Sequence, residues 1–290
     1  MRTKKTISEE LESLGSFRDL VQTYEEIAAT HMRKVRSTVL GNRDFLDGIK
    51  LIFQKVRSSY KEEVTQILLK RNKNHPEAQH FFRHNGKTVY VLISANAGLY
   101  GSIIQETFNL FITEVKKKPA DVTIIGKLGL QTFKDLNLKI PYTYFDFPDN
   151  NIDPIQLKDI ARHLTNYEEV IAFYPQFTNI ITQYPTRGSI TGELLDDKNT
   201  TVKPEKFIFE PSLERVLAFF ETQIITALFE QTLSESQLAK FASRMINLDK
   251  ASDNIKELIG KGTFESQKIS HYIENRKQRS LLSSMSLWHR

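Results

Sequence analysis

Apolar residues recur at both ends of this chain in alternating steps of four and three. From Ile7 the series reaches Leu11, Leu14, Val21, Ala28, Met32, Val35, Val39, Leu46, Ile49, Phe53, Val56, Tyr60 and Ile67. That is 14 apolar positions in 18 steps, interrupted at Arg18, Glu25, Asn42 and Glu63, where the 40% apolar background predicts about 7. The same steps from Leu213 to Ile273 find 13 in 18, including Leu217, Phe220, Ile224, Leu238, Phe241, Met245, Leu248, Ile255 and Ile259. Such heptad seams predict two long helices that pair as an antiparallel coiled coil. At ~1.5 Å per residue a helix over most of the first 65 residues is on the order of 90 Å long, too long to bury in a globule of this size. In the paired helices Met32 and Val35 are expected to pack against Phe241, Met245 and Leu248. Beyond Ile273 the seam fails at Arg276, Ser280 and Ser283, so the last turns are expected to leave the partner helix.

The middle of the chain follows a different pattern. All nine prolines lie between Pro76 and Pro211, and proline is tolerated poorly inside helices. The run Val89-Tyr-Val-Leu-Ile93 predicts a buried strand, followed by a glycine-containing turn and a helix from Ile103 to Val115. Val122–Ile125 predicts a second strand, closed by Gly126 and followed by a short helix to about Leu136. A helix near 155–165 precedes a third strand at Val170–Tyr174, and 179–190 and 206–210 predict added edge strands. Alternating strand and helix points to a mainly parallel, Rossmann-like sheet. The expected organisation is therefore an N-terminal helix over 1–70, an α/β domain over 71–210 and a C-terminal helix over 211–290.

Composition narrows the chemistry. The 290 residues include no cysteine, which removes disulfides, zinc-thiolate sites and thiol nucleophiles. Charged residues make up 26%, and 40 Lys+Arg against 35 Asp+Glu leave a formal charge of +5. The start of the chain is basic and then acidic with no apolar core, unlike a signal peptide. No stretch approaches the ~20 apolar residues of a membrane span, so a soluble, cytoplasmic protein is expected. The basic groups Arg33-Lys34-Arg36 and Arg276-Lys277-Arg279 lack interleaved aromatics and read as solvated helix faces rather than a nucleic-acid stripe.

Each candidate for catalysis has a plainer reading. The turn Ser94-Ala-Asn-Ala-Gly98-Leu-Tyr-Gly101 follows a strand and opens a helix, where phosphate-binding loops occur. It is not G-x-G-x-x-G, and its glycines suit a tight turn and close helix-to-sheet approach. Gly260-Lys-Gly-Thr263 resembles a piece of a Walker sequence without its preceding strand, and reads as a weak point in the C-terminal helix. His80 and His84 are four apart and could share a helix face, with His75 nearby, but a metal site needs a third ligand and the stretch reads as a solvated loop before the first strand. No G-x-S-x-G elbow occurs and no carboxylate pair stands out.

The segment from Leu233 to Ile259 resembles the γ subunit of F-type ATP synthases. That family carries Ser-Glu, Ala-Arg-Met and Ala-Thr-Asp-Asn in order, read here as Ser234-Glu235, Ser243-Arg244-Met245 and Ala251-Ser252-Asp253-Asn254. Ile93–Gly101 looks like the family's strand and Gly-Leu-x-Gly turn. Phe177-Thr-Asn179 with Gln183-Tyr-Pro185 looks like its later F-x-N…Q-x-P stretch, and Phe209-Glu-Pro-Ser212 fits the entry to its last helix. The resemblance spans the chain. It implies a shaft without catalysis or cofactor, standing inside a hexamer of α- and β-type subunits. The foot of such a shaft engages an ε-type subunit and a membrane rotor ring, making the protein peripheral to a membrane through its complex, with no insertion of its own.

The chain departs from that pattern at the expected partner contacts. Ser16–Glu26 places Asp19, Gln22 and Glu25 where the family carries lysines. Extended from Asp253-Asn254, the alignment sets Ser270-His271 against an Arg-Gln pair and Asn275 against a threonine, while Lys268 is kept. The resemblance makes Lys268, Ser270, His271, Asn275, Arg276 and Arg279 candidate partner contacts. The reversed charges imply that the surrounding subunits are changed to match. The expected function is a rotor shaft; the alternatives are a γ-like subunit of an ATPase driving another mechanical task, a scaffold that no longer rotates, or a Rossmann-like enzyme or sensor using the Ser94–Gly101 turn.

Overall fold

The computed structural model describes residues 3–60, 63–64, 85–191, 208–210 and 212–288, apart from the side chains of 40, 43, 57 and 285–288. Contacts divide the chain into two compact units, residues 30–244 and residues 1–29 with 245–290. Helices α1 (Lys4–Ser59) and α5 (Leu213–Trp288) contribute to both.

The unit of residues 30–244 is built on a five-stranded sheet. Its elements are β1 (Thr88–Ile93), α2 (Ile103–Lys117), β2 (Asp121–Ile125), α3 (Lys127–Asp135), β3 (Tyr142–Phe145), α4 (Pro154–Leu164), β4 (Glu169–Phe177) and β5 (Gln183–Ser189). The strand order is β3-β2-β1-β4-β5. The first three pairings are parallel, with Val91 beside Thr123 and Ala172, and β4 with β5 is antiparallel. The expected strands and helices of the α/β domain are present near their expected limits, and the expected added strand at 179–190 is β5.

One strand was not expected, and one expected strand falls partly outside the described residues. β3 carries no recognisable run: it has four residues after Pro141, sits at the sheet edge and leaves Tyr142 and Thr143 exposed. At 206–210, residues 206 and 207 lie outside the described residues, and 208–210 form no strand. Histidines 75, 80 and 84 also lie outside the described residues, as do 65–70 of the expected first helix.

Alternation along β1 assigns its side chains to two layers. Val89, Val91 and Ile93 join a core with Leu157, Ile160 and Leu164 of α4 and with the helical pair, through residues such as Leu46, Phe53, Leu217 and Leu228. Tyr90 and Leu92 face the other way, onto Phe108, Phe111 and Val115 of α2 and Phe133 of α3. With both faces covered, Val89 to Ile93 are all buried, which is why the sequence shows a continuous apolar run there. Asp153 caps α4 by accepting from Ile155 N at 3.0 Å, ahead of Pro154 in the first turn.

Within this unit α1 and α5 run antiparallel. Asn42 Nδ2 donates to Glu230 Oε1 at 3.1 Å, His31 stacks on Phe241 with centroids 5.1 Å apart, and Phe53 meets Phe220 at 6.3 Å. As one number rises the other falls, which fixes the direction of the pairing. Every α1 seam position from Met32 to Tyr60 is buried or half-buried, and so is every α5 seam position from Leu213 to Phe241. Even Asn42, Gln231 and Ser234, which interrupt the apolar pattern, keep to the covered face.

The second unit, residues 1–29 with 245–290, contains helix alone among its described residues. Ile7 and Ala28 are buried on the α1 segment, and Leu248 and Ser252 on the α5 segment. Leu11 lies against Gly262, where an added Cβ would stand 3.0 Å from Leu11 Cδ2. The expected weak point at Gly260–Gly262 is not a break: α5 is continuous through it. Gly262 is instead a place of close helix approach, whereas Gly260 faces open space. The seam positions stay covered to Ile269, and 271–284 are all exposed. No helix among the described residues is long and apolar enough to cross a membrane.

Candidate functional site

The β1–α2 turn, residues 94–102, lies at the carboxyl end of the sheet beside β4, the place where α/β sheets receive ligands. Here that place is filled from within the chain. Two successive amides, Asn96 N and Ala97 N, donate to Asp149 Oδ2 at 2.8 and 2.9 Å. Asp149 comes from the loop after β3, and its carboxylate takes the position an anionic ligand of such a turn would occupy. Lys240 Nζ of α5 lies 3.0 Å from Asp149 Oδ1 and donates to the Ser94 carbonyl at 3.0 Å. Both side chains are almost fully buried, 5% and 6% exposed, so neither charge is left to water.

Asn96 ties the turn to two further elements. Its Oδ1 accepts from Lys127 N at 2.8 Å, supplying the first amide of α3 with a partner from outside that helix. Its Nδ2 donates to Asp146 Oδ1 at 2.7 Å and to the Phe147 carbonyl at 3.0 Å. Lys127 Nζ completes the group at 3.2 Å from Asp146 Oδ2. The fit is close: a Cβ on Gly129 would fall 2.7 Å from Ser94 Cβ, and one on Gly126 would fall 2.8 Å from Ala95 N.

The far side of the turn is gripped by the same helix. Ser243 Oγ donates to the Tyr100 carbonyl at 2.7 Å, and Arg244 Nη2 to the Gly98 carbonyl at 2.6 Å. The Arg244 guanidinium lies 4.1 Å from the centre of the Tyr100 ring, a stacked cation–π contact. Burial pushes the Tyr100 phenol well above its ordinary range, reinforced by the Asp149 charge and opposed by Arg244. Between the two clamped carbonyls, Leu99 adopts a left-handed φ of 70° with its side chain 57% exposed. Lys240, Ser243 and Arg244 are spaced three and four apart, so one face of α5 holds the whole turn.

This arrangement holds the turn to α5 and to the β3–α4 loop. The amides a phosphate would use are consumed by Asp149, and the cation that would neutralise a ligand neutralises Asp149 instead. Among the described residues no group of three His, Asp or Glu could hold a metal.

The expected seam residues fall in different units. Met32, Val35 and Phe241 share one apolar cluster with Ala95, Tyr100 and Leu238. In the other unit Met245 is half-buried and Leu248 buried. Of the candidate partner contacts, Ser270 is half-buried, while Lys268, His271, Asn275, Arg276 and Arg279 are exposed on α5. Asp19 is exposed and paired with Arg18 at 2.9 Å, Gln22 is exposed and Glu25 half-buried. Sequence reasoning missed Asp149, Asn96 and Lys240. Lys240 carried a signal, a lone charge within Leu-Ala-Lys-Phe-Ala; Asp149, in a loop of Pro, Asp and Asn, carried none.

A family model described as ATP synthase matches residues 3–269. The ATP synthase gamma chain of Mesoplasma florum is 25% identical over 260 residues, covering 88% of this chain and 86% of that one. That of Desulforamulus reducens is 26% identical over 273 residues, covering 91% of each. Among solved structures, the central stalk and c-ring of the Tetrahymena thermophila mitochondrial ATP synthase contains a similar fold. Its TM-score is 0.55 at 18% identity, with 80% of this chain and 99% of that chain covered. A chain of the Euglena gracilis mitochondrial ATP synthase is similar at a TM-score of 0.50 and 13% identity, covering 90% and 95%.

Proposed function

The chain belongs to the gamma-chain family of ATP synthases, and on that premise we propose that it is the central-stalk shaft of an F-type rotary ATPase. It is a subunit without an active site of its own, coupling rotation inside a hexamer of α- and β-type subunits to the base of the machine. The observation that carries this reading is the family match itself, which runs from residue 3 to 269 and takes in both terminal helices and the α/β domain.

The geometry supports it at three points. Helices α1 and α5 are covered along their seams, as a shaft requires. The exposed turns at 271–284 offer Arg276 and Arg279 to surrounding subunits, with Lys268, Ser270, His271 and Asn275 just below them. The sheet's ligand position is occupied by Asp149 and Lys240, which leaves no cradle for a nucleotide at that turn. In this reading residues 1–70 and 211–290 are the shaft helices and 71–210 the foot, which meets an ε-type subunit and a membrane rotor ring. The protein is peripheral to the membrane through that complex.

The test is co-purification of the tagged chain from its native source, with partners identified and ATPase activity assayed. One copy with three each of α- and β-type subunits, turning under ATP, is the expected result. An accompanying ion-translocating ring makes the machine a synthase or pump, and a hexamer without one makes it an ATP-driven motor of another kind. Failure to recover any hexamer, or tight nucleotide binding by the isolated chain in calorimetry, overturns the reading.

A further inference from the structure

We infer that Asp149 is the positioning residue that locks the α/β domain to α5 in rotation, so that the turn at 94–100 and one face of α5 form a torque joint. The inference rests on the shaft reading and adds where within the chain the load passes.

The argument starts from the kinds of contact on each side of α5. Over Leu217–Leu233 the helix meets the sheet layer through an apolar cluster, with Leu217, Ile224, Leu228 and Leu233 among its members. Apolar attraction is itself non-directional, so these contacts resist rotation through packing alone and not through aimed bonds. At Lys240–Arg244 the contacts change character. Three side chains on one helix face make four directed bonds, three to the turn and one to Asp149 of the β3–α4 loop, at 2.6 to 3.0 Å: Lys240 to Asp149 and the Ser94 carbonyl, Ser243 to the Tyr100 carbonyl, and Arg244 to the Gly98 carbonyl. Rotation of α5 about its axis stretches all four together, and the three made by Lys240 and Ser243 are buried, with no water to replace them.

Asp149 is the keystone of that set because it works in two directions. Oδ1 faces the shaft helix through Lys240, and Oδ2 holds the domain through Asn96 N and Ala97 N. Asn96 passes the connection on to α3 and to the β3–α4 loop through Lys127 N, Asp146 and the Phe147 carbonyl. A carboxylate is the side chain that accepts on both oxygens at once with charge-assisted strength. An amide in its place keeps one acceptor, for either the turn or the lysine.

The experiment uses the assembled complex, with the thiol introduced and labelled on this chain, which has no cysteine of its own, before assembly. With the hexamer fixed to a surface, a bead is attached to the domain at exposed Lys158→Cys, and its rotation and stall torque are measured under ATP. Asp149→Asn is expected to leave the ATPase rate of the assembled hexamer intact while the domain-bound bead slips under a load that the native rotor carries. Lys240→Met is expected to do the same, and the conservative Lys240→Arg to restore torque. Native torque at the domain in both Asp149→Asn and Lys240→Met overturns the inference. If either variant fails to assemble, Ser243→Ala, which removes one of the four bonds, is read in the same assay, and an unchanged stall torque there counts equally against it. A native complex that hydrolyses ATP without turning the bead overturns the shaft reading instead, so the two failures are distinguishable.

Discussion

Lys240 Nζ sits 3.0 Å from Asp149 Oδ1 with both side chains buried, joining residues 91 positions apart across the carboxyl end of the sheet. Each charge neutralises the other in place. Lys240→Met is therefore expected to cost about 3–5 kcal/mol of stability, because it leaves the Asp149 carboxylate buried against two amides without its cation. Asp149→Asn combined with Lys240→Met removes both charges and keeps an acceptor for Asn96 N and Ala97 N, so the pair is expected to cost less than Lys240→Met alone. Denaturant melts of the two variants check it; equal losses would show that the charge pairing is not the source.

The legible part of this fold was the part set by period. Seam residues such as Val35, Leu46, Leu217 and Leu238 could be read because helix pairing imposes a 3.5-residue repeat, and Val89–Ile93 because a doubly covered strand is apolar throughout. The joint obeys no period. Asp149 and Lys240 meet only once the chain has folded, and a buried aspartate in a loop looks like any solvated turn residue beforehand. β3 was missed for a related reason: an edge strand that stays half wet carries no apolar run. Gly260 and Gly262 look alike in the sequence and differ only in what the other helix places beside them.

That difference yields a prediction within the helical unit. Gly260→Ala adds a methyl to open space in a helix interior, and is expected to stabilise by ~0.8–1 kcal/mol. Gly262→Ala brings its Cβ to 3.0 Å from Leu11 Cδ2, a flexible tip that can give way, so its gain is smaller. Gly262→Phe sets a ring against Leu11, which must move aside, and is expected to lower the melting temperature. Thermal melts followed by circular dichroism rank the three variants. Stabilisation by Gly262→Phe would contradict the close approach of Leu11.

The turn at the joint makes an analogous contrast. Gly126 has φ 98° and ψ 142°, a backbone region nearly reserved for glycine, and its Cβ would strike Ala95 N at 2.8 Å. Gly126→Ala is expected to cost upward of about 2 kcal/mol, since backbone cannot move aside. Gly98 has open space and an ordinary φ, so Gly98→Ala is expected to change stability by no more than about 1 kcal/mol, in the stabilising direction. Urea unfolding of both settles the order, and a tolerated Gly126→Ala contradicts the packing of α3 against the end of β1.

Acid should weaken the domain through His163. Its Nε2 lies 3.1 Å from Thr123 Oγ1, and the ring packs against Phe145 and Tyr167 with centroids 5.4 Å from each. Burial holds its pKa below the ordinary 6.5, partly offset by the Asp121 carboxylate. The unfolded chain therefore binds this proton more readily than the folded one. Stability from the neutral ring is fully present above pH 6.5 and is lost as the pH falls from there through the lower folded value. His163→Gln keeps a hydrogen-bonding partner for Thr123 and cannot take up the proton. The melting temperature of the native chain is expected to fall between pH 7 and pH 5 by more than that of His163→Gln, the carboxylates they share cancelling in the comparison. Parallel curves for the two chains over that interval would mean that His163 takes up its proton as readily in the folded domain as in the unfolded chain, and that the ring's burial carries no pH dependence.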